Sequence, residues 1–258
     1  MSNSPTPADE PRQKTSIQPL TRSRKQSRTQ WRKAFSAMRR LVKNPEATEE
    51  VFIIIEALAG DALDKGFRRF KTTDMGRTIL AEKRSLLNSL RDRKQLAQQP
   101  AHSLAAHYLN FVTKEEISAD GLVEPSQDTR SAGELKGDLL LFANRQRDMH
   151  DLWHTLTAYG RDELGEVCLL AFTCAQSANR GIAFIALVGI YQMTKRYGWS
   201  VPKAVLAAYR DGKKAKWLPA EDWETLLSQP IGQVRASLNI RPPQRYQDLR
   251  RFDLMASS

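Results

Sequence analysis

Apolar residues recur at helical spacing along most of this 258-residue chain, and nowhere do they alternate with polar ones long enough to suggest a strand. Trp31, Phe35, Met38 and Leu41-Val42 stand three or four apart, with Arg32, Lys33, Arg39, Arg40 and Lys43 around the other face. Such a basic amphipathic helix either lies on an anionic membrane surface or opens the core with a solvated basic side. Asn44-Pro45 ends it. Thr48 then starts a helix with Val51, Ile54-Ile55 and Leu58 on one side, stopped by Gly60, and Leu63, Phe67 and Phe70 mark a third. Residues 74–99 read as one long basic helical stretch ended by Pro100, and Thr113 to Glu116 as a capping box for a short turn. Residues 119–137 have the Gly, Pro, Ser and Asp content of a connecting loop.

A long helix is predicted from about Glu134 to Tyr159, followed by one that Asp162 caps, with Val167, Leu169-Leu170 and Phe172 as its apolar positions. Residues 180–193 are apolar on nearly all sides, which suits the centre of a bundle or one wall of an apolar pocket, the centre being the simpler reading. Ser200 caps a further helix with Pro202 in its first turn and an end at Asp211-Gly212. Two short helices follow, about 220–228 and 231–239. The fold class is therefore all-α: a single-domain multi-helix bundle over residues 30–245, a disordered basic N-terminal arm over 1–29, and a polar C-terminal tail over 246–258. The arm is rich in Pro, Ser, Thr, Gln and Arg and poor in large apolar groups, so it cannot offset its ordering entropy.

Charge sharpens this division. Of the net +11, residues 1–43 carry +9, from eleven Lys or Arg against two Asp or Glu, which leaves +2 for everything after. A domain that near neutrality argues against a broad nucleic-acid-binding face. Cys168 and Cys174 lie six apart in one predicted helix, too far along it for an easy disulfide, and read as packing residues of a reducing compartment. The longest clean apolar run, 181–191, is well short of the ~20 residues that span a bilayer. The N-terminus lacks the apolar core of a secretory signal, and Asp9 and Glu10 weaken a transit-peptide reading.

The candidate chemistry gathers at Arg145-Gln146-Arg147-Asp148-Met149-His150-Asp151-Leu152-Trp153-His154. Residues four apart on a helix stack about 6 Å along its axis, so His150 and His154 can present two imidazoles to one metal ion. Arg147, and Arg145 beside it, would add a cation for an acidic ligand. An uninterrupted helix would turn Glu166 roughly 120° away from His154, but Tyr159-Gly160-Arg161-Asp162 reads as a break, with Gly160 left-handed at the stop and Asp162 capping the next helix. Glu166 then folds back as a third ligand. Asp151 is either a fourth ligand or an outer support that orients an imidazole. His102 and His107, five apart, do not share a face and read as ordinary polar residues. No phosphate-binding Gly loop, GxSxG elbow or CxxC pair competes. Imidazole with carboxylate suits zinc, iron or manganese alike.

His150-Asp151-x-x-His154, eleven residues and then Glu166 in a Gly-Glu pair resembles the signature of the Coq-four family of ubiquinone (coenzyme Q) biosynthesis proteins. Gly76-Arg77, Ser103-Leu104 with Tyr108 and Phe111, Gly212 to Lys216, Trp223-Glu224, Arg235, Leu238-Asn239-Ile240 and Pro242-Pro243 are similar in order, so the likeness spans about residues 45–245. Ala105-Ala106 and Ser85 depart from it. The resemblance implies a zinc-type divalent ion held by His150, Asp151, His154 and Glu166. It implies an enzyme, a carbon–carbon lyase that replaces the C1 carboxylate of a 4-hydroxy-3-methoxy-5-polyprenylbenzoate by hydroxyl, an oxidative decarboxylation. Arg147 and Arg145 would meet that carboxylate. The alternative is a non-catalytic organiser that binds a polyprenyl lipid and holds other quinone biosynthesis enzymes together around a structural metal. Either protein would work at an anionic membrane surface: peripheral on the cytoplasmic face of a bacterial inner membrane or cytoplasmic, or at the mitochondrial inner membrane in a eukaryote. A homo-oligomer stays open.

Overall fold

A computed structural model of the chain describes residues 29–44, 47–116 and 135–256. The expected arm, up to residue 28, and the connector up to residue 134 lie outside them. Every regular element among the described residues is helical, and pairing of the strand type is limited to one isolated bridge between Ser103 and Pro230. The all-α reading holds.

The chain begins with α1 (Trp31–Lys43) and α2 (Thr48–Ala59), packed on each other through Ala34, Ala37, Met38, Ile54 and Leu58. Buried Glu50 of α2 receives Arg40 of α1, with Arg40 Nη2 2.8 Å from Glu50 Oε2. Then come α3 (Ala62–Thr72), α4 (Asp74–Glu82), α5 (Leu86–Arg91), α6 (Arg93–Ala97) and α7 (Leu104–Lys114). The single stretch expected over 74–99 is thus three helices. Lys83 takes the left-handed conformation that ends α4, and Asp92 caps α6 by accepting the Gln95 N–H at 2.9 Å. These breaks let Ile79 and Leu80 join Phe70 and Phe142 in a small lateral cluster, while Leu86, Leu90 and Leu96 enter the main core. The expected capping box at Thr113 does not form, because α7 runs through it to Lys114.

The main core is built on α10 (Glu163–Ser177), which is flanked by α11 (Arg180–Tyr197) and α12 (Ser200–Lys214). Leu164, Val167, Cys168, Leu169 and Phe172 of α10 are all buried, and burying each large side chain stabilises the fold by about 1.5–3 kcal/mol. The expected centre, residues 180–193, is instead a flank: Leu187 and Tyr191 of α11 are 63% and 64% exposed. Gly212 does not stop α12. It lies within the helix, where a Cβ would come 2.6 Å from the Phe172 carbonyl oxygen, so its lack of a side chain is what lets α12 lie close to α10. Buried Gln176 ties the same pair, donating to Gly212 O at 2.6 Å and accepting the Leu218 N–H at 2.9 Å.

Two short helices, α13 (Trp223–Leu226) and α14 (Ile231–Ser237), come close to their expected places. The expected polar tail is a helix, α15 (Gln244–Ala256), with Tyr246 buried and Leu249 packed on the main core. Tyr246, Leu249, Phe252 and Met255 recur three apart in this segment, a helical spacing set among many polar residues, and its position follows from where Tyr246 docks.

Candidate metal centre

The helix expected over 134–159 is divided at Met149 into α8 (Gly137–Asp148) and α9 (His150–Thr157). Met149 is fully buried there, and its sulfur accepts the Trp223 indole N–H. This break separates the arginines from the histidines. Arg145, fully buried on α8, pairs bidentately with Glu224 at 2.6 and 2.7 Å and donates to Glu221 O at 3.1 Å. Arg147 turns to Asp148, 2.8 and 3.0 Å away. Both guanidinium groups, expected as cations for a ligand, are thus engaged by carboxylates of the frame. Arg235 of α14 completes the frame by donating to the Leu156 and Thr155 carbonyls at 2.8 and 3.1 Å, which gives partners to the C-terminal end of α9.

His150 and His154 lie one turn apart as expected, their rings edge to face with centroids 4.7 Å apart. The chain then reverses, but the left-handed residue is Ala158 (φ 60°, ψ 24°), not Gly160. Gly160 is needed for proximity: a Cβ there would sit 2.6 Å from Tyr246 Oη and 2.7 Å from Asp162 Oδ2. Its N–H donates to Tyr246 Oη at 2.9 Å, and the tyrosine hydroxyl in turn donates to Asp162. Asp162 caps α10 as predicted, accepting the Gly165 N–H at 3.1 Å.

That turn delivers Glu166. Its Oε1 lies 3.3 Å from His154 Nε2 and its Oε2 3.9 Å from His150 Nε2, and one donor atom from each of the three residues falls within 4.8 Å of the others. Ligands at the ~2.0–2.2 Å typical of zinc sites stand roughly 3–3.5 Å from one another, a spacing that the His154–Glu166 pair already has and that a small inward rotation of His150 would complete. The environment of His154 points the same way. Its Nδ1 lies 3.0 Å from the Tyr159 carbonyl, which places the proton on Nδ1 and the lone pair on Nε2. Nε2 is buried and makes no hydrogen bond, an orphaned acceptor aimed at Glu166 and His150. Phe111 of α7 lies nearly parallel to the same ring, centroids 5.5 Å apart.

Asp151 stands 3.3 Å from Nδ1 of His150, the nitrogen that faces away from Glu166. It is placed as a support that fixes the ring, outside the group of three. Without metal, burial disfavours the His150 imidazolium, but the Asp151 hydrogen bond and the Glu166 charge outweigh it and raise the His150 pKa. Burial likewise works against the charged forms of Asp151 and Glu166, and the neighbouring histidines overcome it, so both carboxyls sit below their ordinary values. Arg161, in the turn, adds to that lowering, with Nε 3.9 Å from Glu166 Oε1. An open cavity of about 260 Å³ adjoins His154, lined in part by His107, Phe111, Lys114 and Tyr159.

Sequence reasoning missed Arg161 and Tyr246. Arg161 was legible only as a residue inside a helix stop, and the one signal for Tyr246 was the three-residue apolar spacing it opens with Leu249, Phe252 and Met255. Both cysteines are free, and burial pushes the Cys168 thiol up to about 12, consistent with a packing role.

By fold and site this is an all-helical protein with a candidate metal-ligating triad on two helices that the turn between them brings together. Residues 24–244 match the profile of the family described as Coenzyme Q (ubiquinone) biosynthesis protein Coq4. The chain belongs to the Coq4 family. It is 28% identical to a mitochondrial ubiquinone biosynthesis protein of Podospora anserina over 182 residues, 68% of this chain and 56% of that one, so it spans little more than half the length of that relative. It is 26% identical to the Danio rerio homologue, also named mitochondrial, covering 78% of this chain and 73% of the other, and 26% identical to that of Caenorhabditis elegans, covering 78% and 85%. A crystallographically solved Nostoc punctiforme chain, provisionally named a ubiquinone biosynthesis protein, shares the fold with a TM-score of 0.60 at 18% identity, over 80% of this chain and 96% of that one.

Proposed function

We propose that this member of a ubiquinone biosynthesis family uses His150, His154 and Glu166 to hold a divalent ion of the zinc class and carries out the oxidative C1 decarboxylation of a 4-hydroxy-3-methoxy-5-polyprenylbenzoate. The observation that carries this is the buried, unpartnered Nε2 of His154, held in its tautomer by Tyr159 O and facing a second imidazole and a carboxylate. When bound, the ion supplies positive charge to a ring carboxylate or phenolate oxygen. The chain's own residues do the rest. Asp151 holds the His150 ring, Tyr159 O holds that of His154, Phe111 shields it, and Tyr246 with Asp162 locks the turn that brings Glu166 in. Replacing carboxylate by hydroxyl is a two-electron oxidation. With dioxygen as oxidant, the ring acid, dioxygen, two electrons and two protons balance to the ring hydroxyl, CO2 and water.

Purified metal-loaded protein given the polyprenylated benzoate under air with an electron donor is expected to release CO2 and form the hydroquinone. The His154→Ala variant is expected to do neither while keeping its helical circular dichroism. A His154→Ala chain that unfolds supports the second reading, a non-catalytic organiser of quinone biosynthesis enzymes with a structural metal. That reading is favoured by how completely His154 is buried within its frame.

A polyprenyl substrate resides in a bilayer, and one face suits attachment there. Trp31 and Phe35 of α1 and Phe184 of α11 form an aromatic group, with ring centroids 5.5–6.2 Å apart. Leu187 and Tyr191 extend along α11, with the Lys195 ammonium over the Tyr191 ring. Aromatic anchors among Arg32, Lys33, Arg39 and Lys195 suit an anionic membrane surface. No helix among the described residues is long and apolar enough to cross a membrane, so we propose peripheral attachment: at the mitochondrial inner membrane, the compartment in the names of the relatives, in a eukaryote, or at the cytoplasmic face of the inner membrane in a bacterium.

A further inference from the structure

We propose that Arg161 is the residue that receives the carboxylate of the ring acid at this centre, an inference that rests on the function proposed above. The reaction needs a cation able to hold a benzoate beside the triad. Arg145 and Arg147 have their guanidinium groups against Glu224 and Asp148. The guanidinium at the triad is that of Arg161, whose charge acts on His150, Asp151 and Glu166 together.

Three features fit it for this work. Its Nε is 3.9 Å from Glu166 Oε1, near enough for charge attraction and beyond hydrogen-bond length, so that carboxylate does not consume the Nε donor of the guanidinium fork. Its side chain is 44% exposed, whereas that of His154 is wholly buried, so a ligand can reach the arginine from solvent. Its backbone is fixed on both sides: the Gly160 N–H is held by Tyr246, and the Asp162 carboxylate by the Tyr246 hydroxyl, the Gly165 N–H and Arg250, whose Nε is 3.3 Å away. A planar guanidinium on a locked turn, one residue from the cap that positions a metal ligand, is pre-organised for a carboxylate held at the same time by the ion. The residue following the expected helix stop thus has a chemical role that its position in a turn does not reveal.

Lys114 lines the cavity beside His154 and is the rival cation. The test compares two probes on the full-length, zinc-loaded protein: 4-hydroxy-3-methoxybenzoate, and 2-methoxyphenol, which differs from it by the carboxylate. Calorimetric titration of the wild type is expected to favour the acid by about tenfold or more, the order of one charged hydrogen-bonded pair. Arg161→Gln is expected to cut that preference by about tenfold, leaving only what the ion itself supplies, with phenol binding, zinc content and thermal unfolding unchanged. Arg161→Lys should restore part of the preference, and Lys114→Gln should keep it. An Arg161→Gln protein that prefers the acid as strongly as the wild type overturns the assignment, as does one that loses zinc along with the acid, which would make Arg161 a support for Glu166. A zinc-loaded wild type with no preference for the acid overturns the proposed chemistry of the site itself, a failure distinct from that of Arg161 alone.

Discussion

The turn between α9 and α10 and the outer face of α1 and α11 treat their side chains in opposite ways. At the turn, most polar groups are buried or half-buried and held by a partner: His154 Nδ1 by Tyr159 O, His150 by Asp151, Asp162 by Tyr246, and the end of α9 by Arg235. On the outer face, Trp31, Phe35, Leu187 and Tyr191 stand exposed, and their contacts are ring against ring or ring against cation. The first region is stabilised by geometry and changes little in what it presents. The second holds apolar surface that water disfavours, which is the property of a face awaiting an apolar partner. Pre-organisation thus marks the candidate metal centre, and exposed apolar surface marks the face proposed for attachment.

The largest effect is expected at His154. Replacing it with Ala removes the buried ligand, and zinc affinity measured with a competing chelator should fall by about a hundredfold or more, since three protein ligands become two. Glu166→Gln should produce a loss nearly as large with unchanged helicity. Either variant retaining stoichiometric zinc would mean that the turn does not hold the ion.

Next comes Tyr246→Phe, which deletes the hydroxyl joining Gly160 to Asp162. It is expected to lower stability by about 1–2 kcal/mol in urea unfolding and zinc affinity by roughly tenfold, through the loosened turn. Loss of stability with no change in zinc affinity would separate the frame from the site.

Acidity should act on the turn and spare the outer face. Metal needs neutral imidazole, and Asp151 and Glu166, outweighing burial, raise the His150 pKa. Zinc affinity is therefore expected to fall about tenfold per pH unit below that raised value. In the metal-free protein the sign is reversed for this group. The imidazolium pairing contributes stability that is fully present below the ordinary histidine value and is lost as pH rises through the raised one. The lowered Asp151 and Glu166 contribute stability above their ordinary carboxyl values, lost as pH falls through the folded ones. Thermal unfolding of metal-free protein from about pH 2 to 8, compared with His150→Ala, checks both arms: the variant should lose its disadvantage at the alkaline end, and the carboxylate contribution should fall away at the acid end.

The smallest effect on the folded protein is expected from Trp31→Ser with Phe35→Ser. Stability should change by no more than about 1 kcal/mol, because both side chains are half exposed. Co-sedimentation with vesicles containing anionic phospholipid should nevertheless drop severalfold. Unchanged sedimentation would remove the membrane role from this face.

Periodicity made most of the bundle legible. The 3.6-residue spacing in Thr48–Ala59, Ala62–Thr72 and Glu163–Ser177 is local information, and so is the four-residue interval that sets His150 beside His154. The Asp162 cap could likewise be read, since a capping side chain meets an amide three residues on. Where the reading failed, distant residues decided. Gly212 looks like a stop until Phe172 lies against it, and residues 180–193 look central until α10 takes the middle.

What the order of residues determined by itself was the helical class, the paired imidazoles and the reversal that makes a carboxylate available, because each depends on neighbours a few positions apart. What only the tertiary structure decided was which charges serve the site. Arg145 found Glu224, 79 residues away, Asp151 settled behind a ring, and Tyr246 closed the turn across 86 residues to leave Arg161 beside Glu166. Electrostatic partners are chosen by distance in space, and no periodicity along a chain encodes that distance.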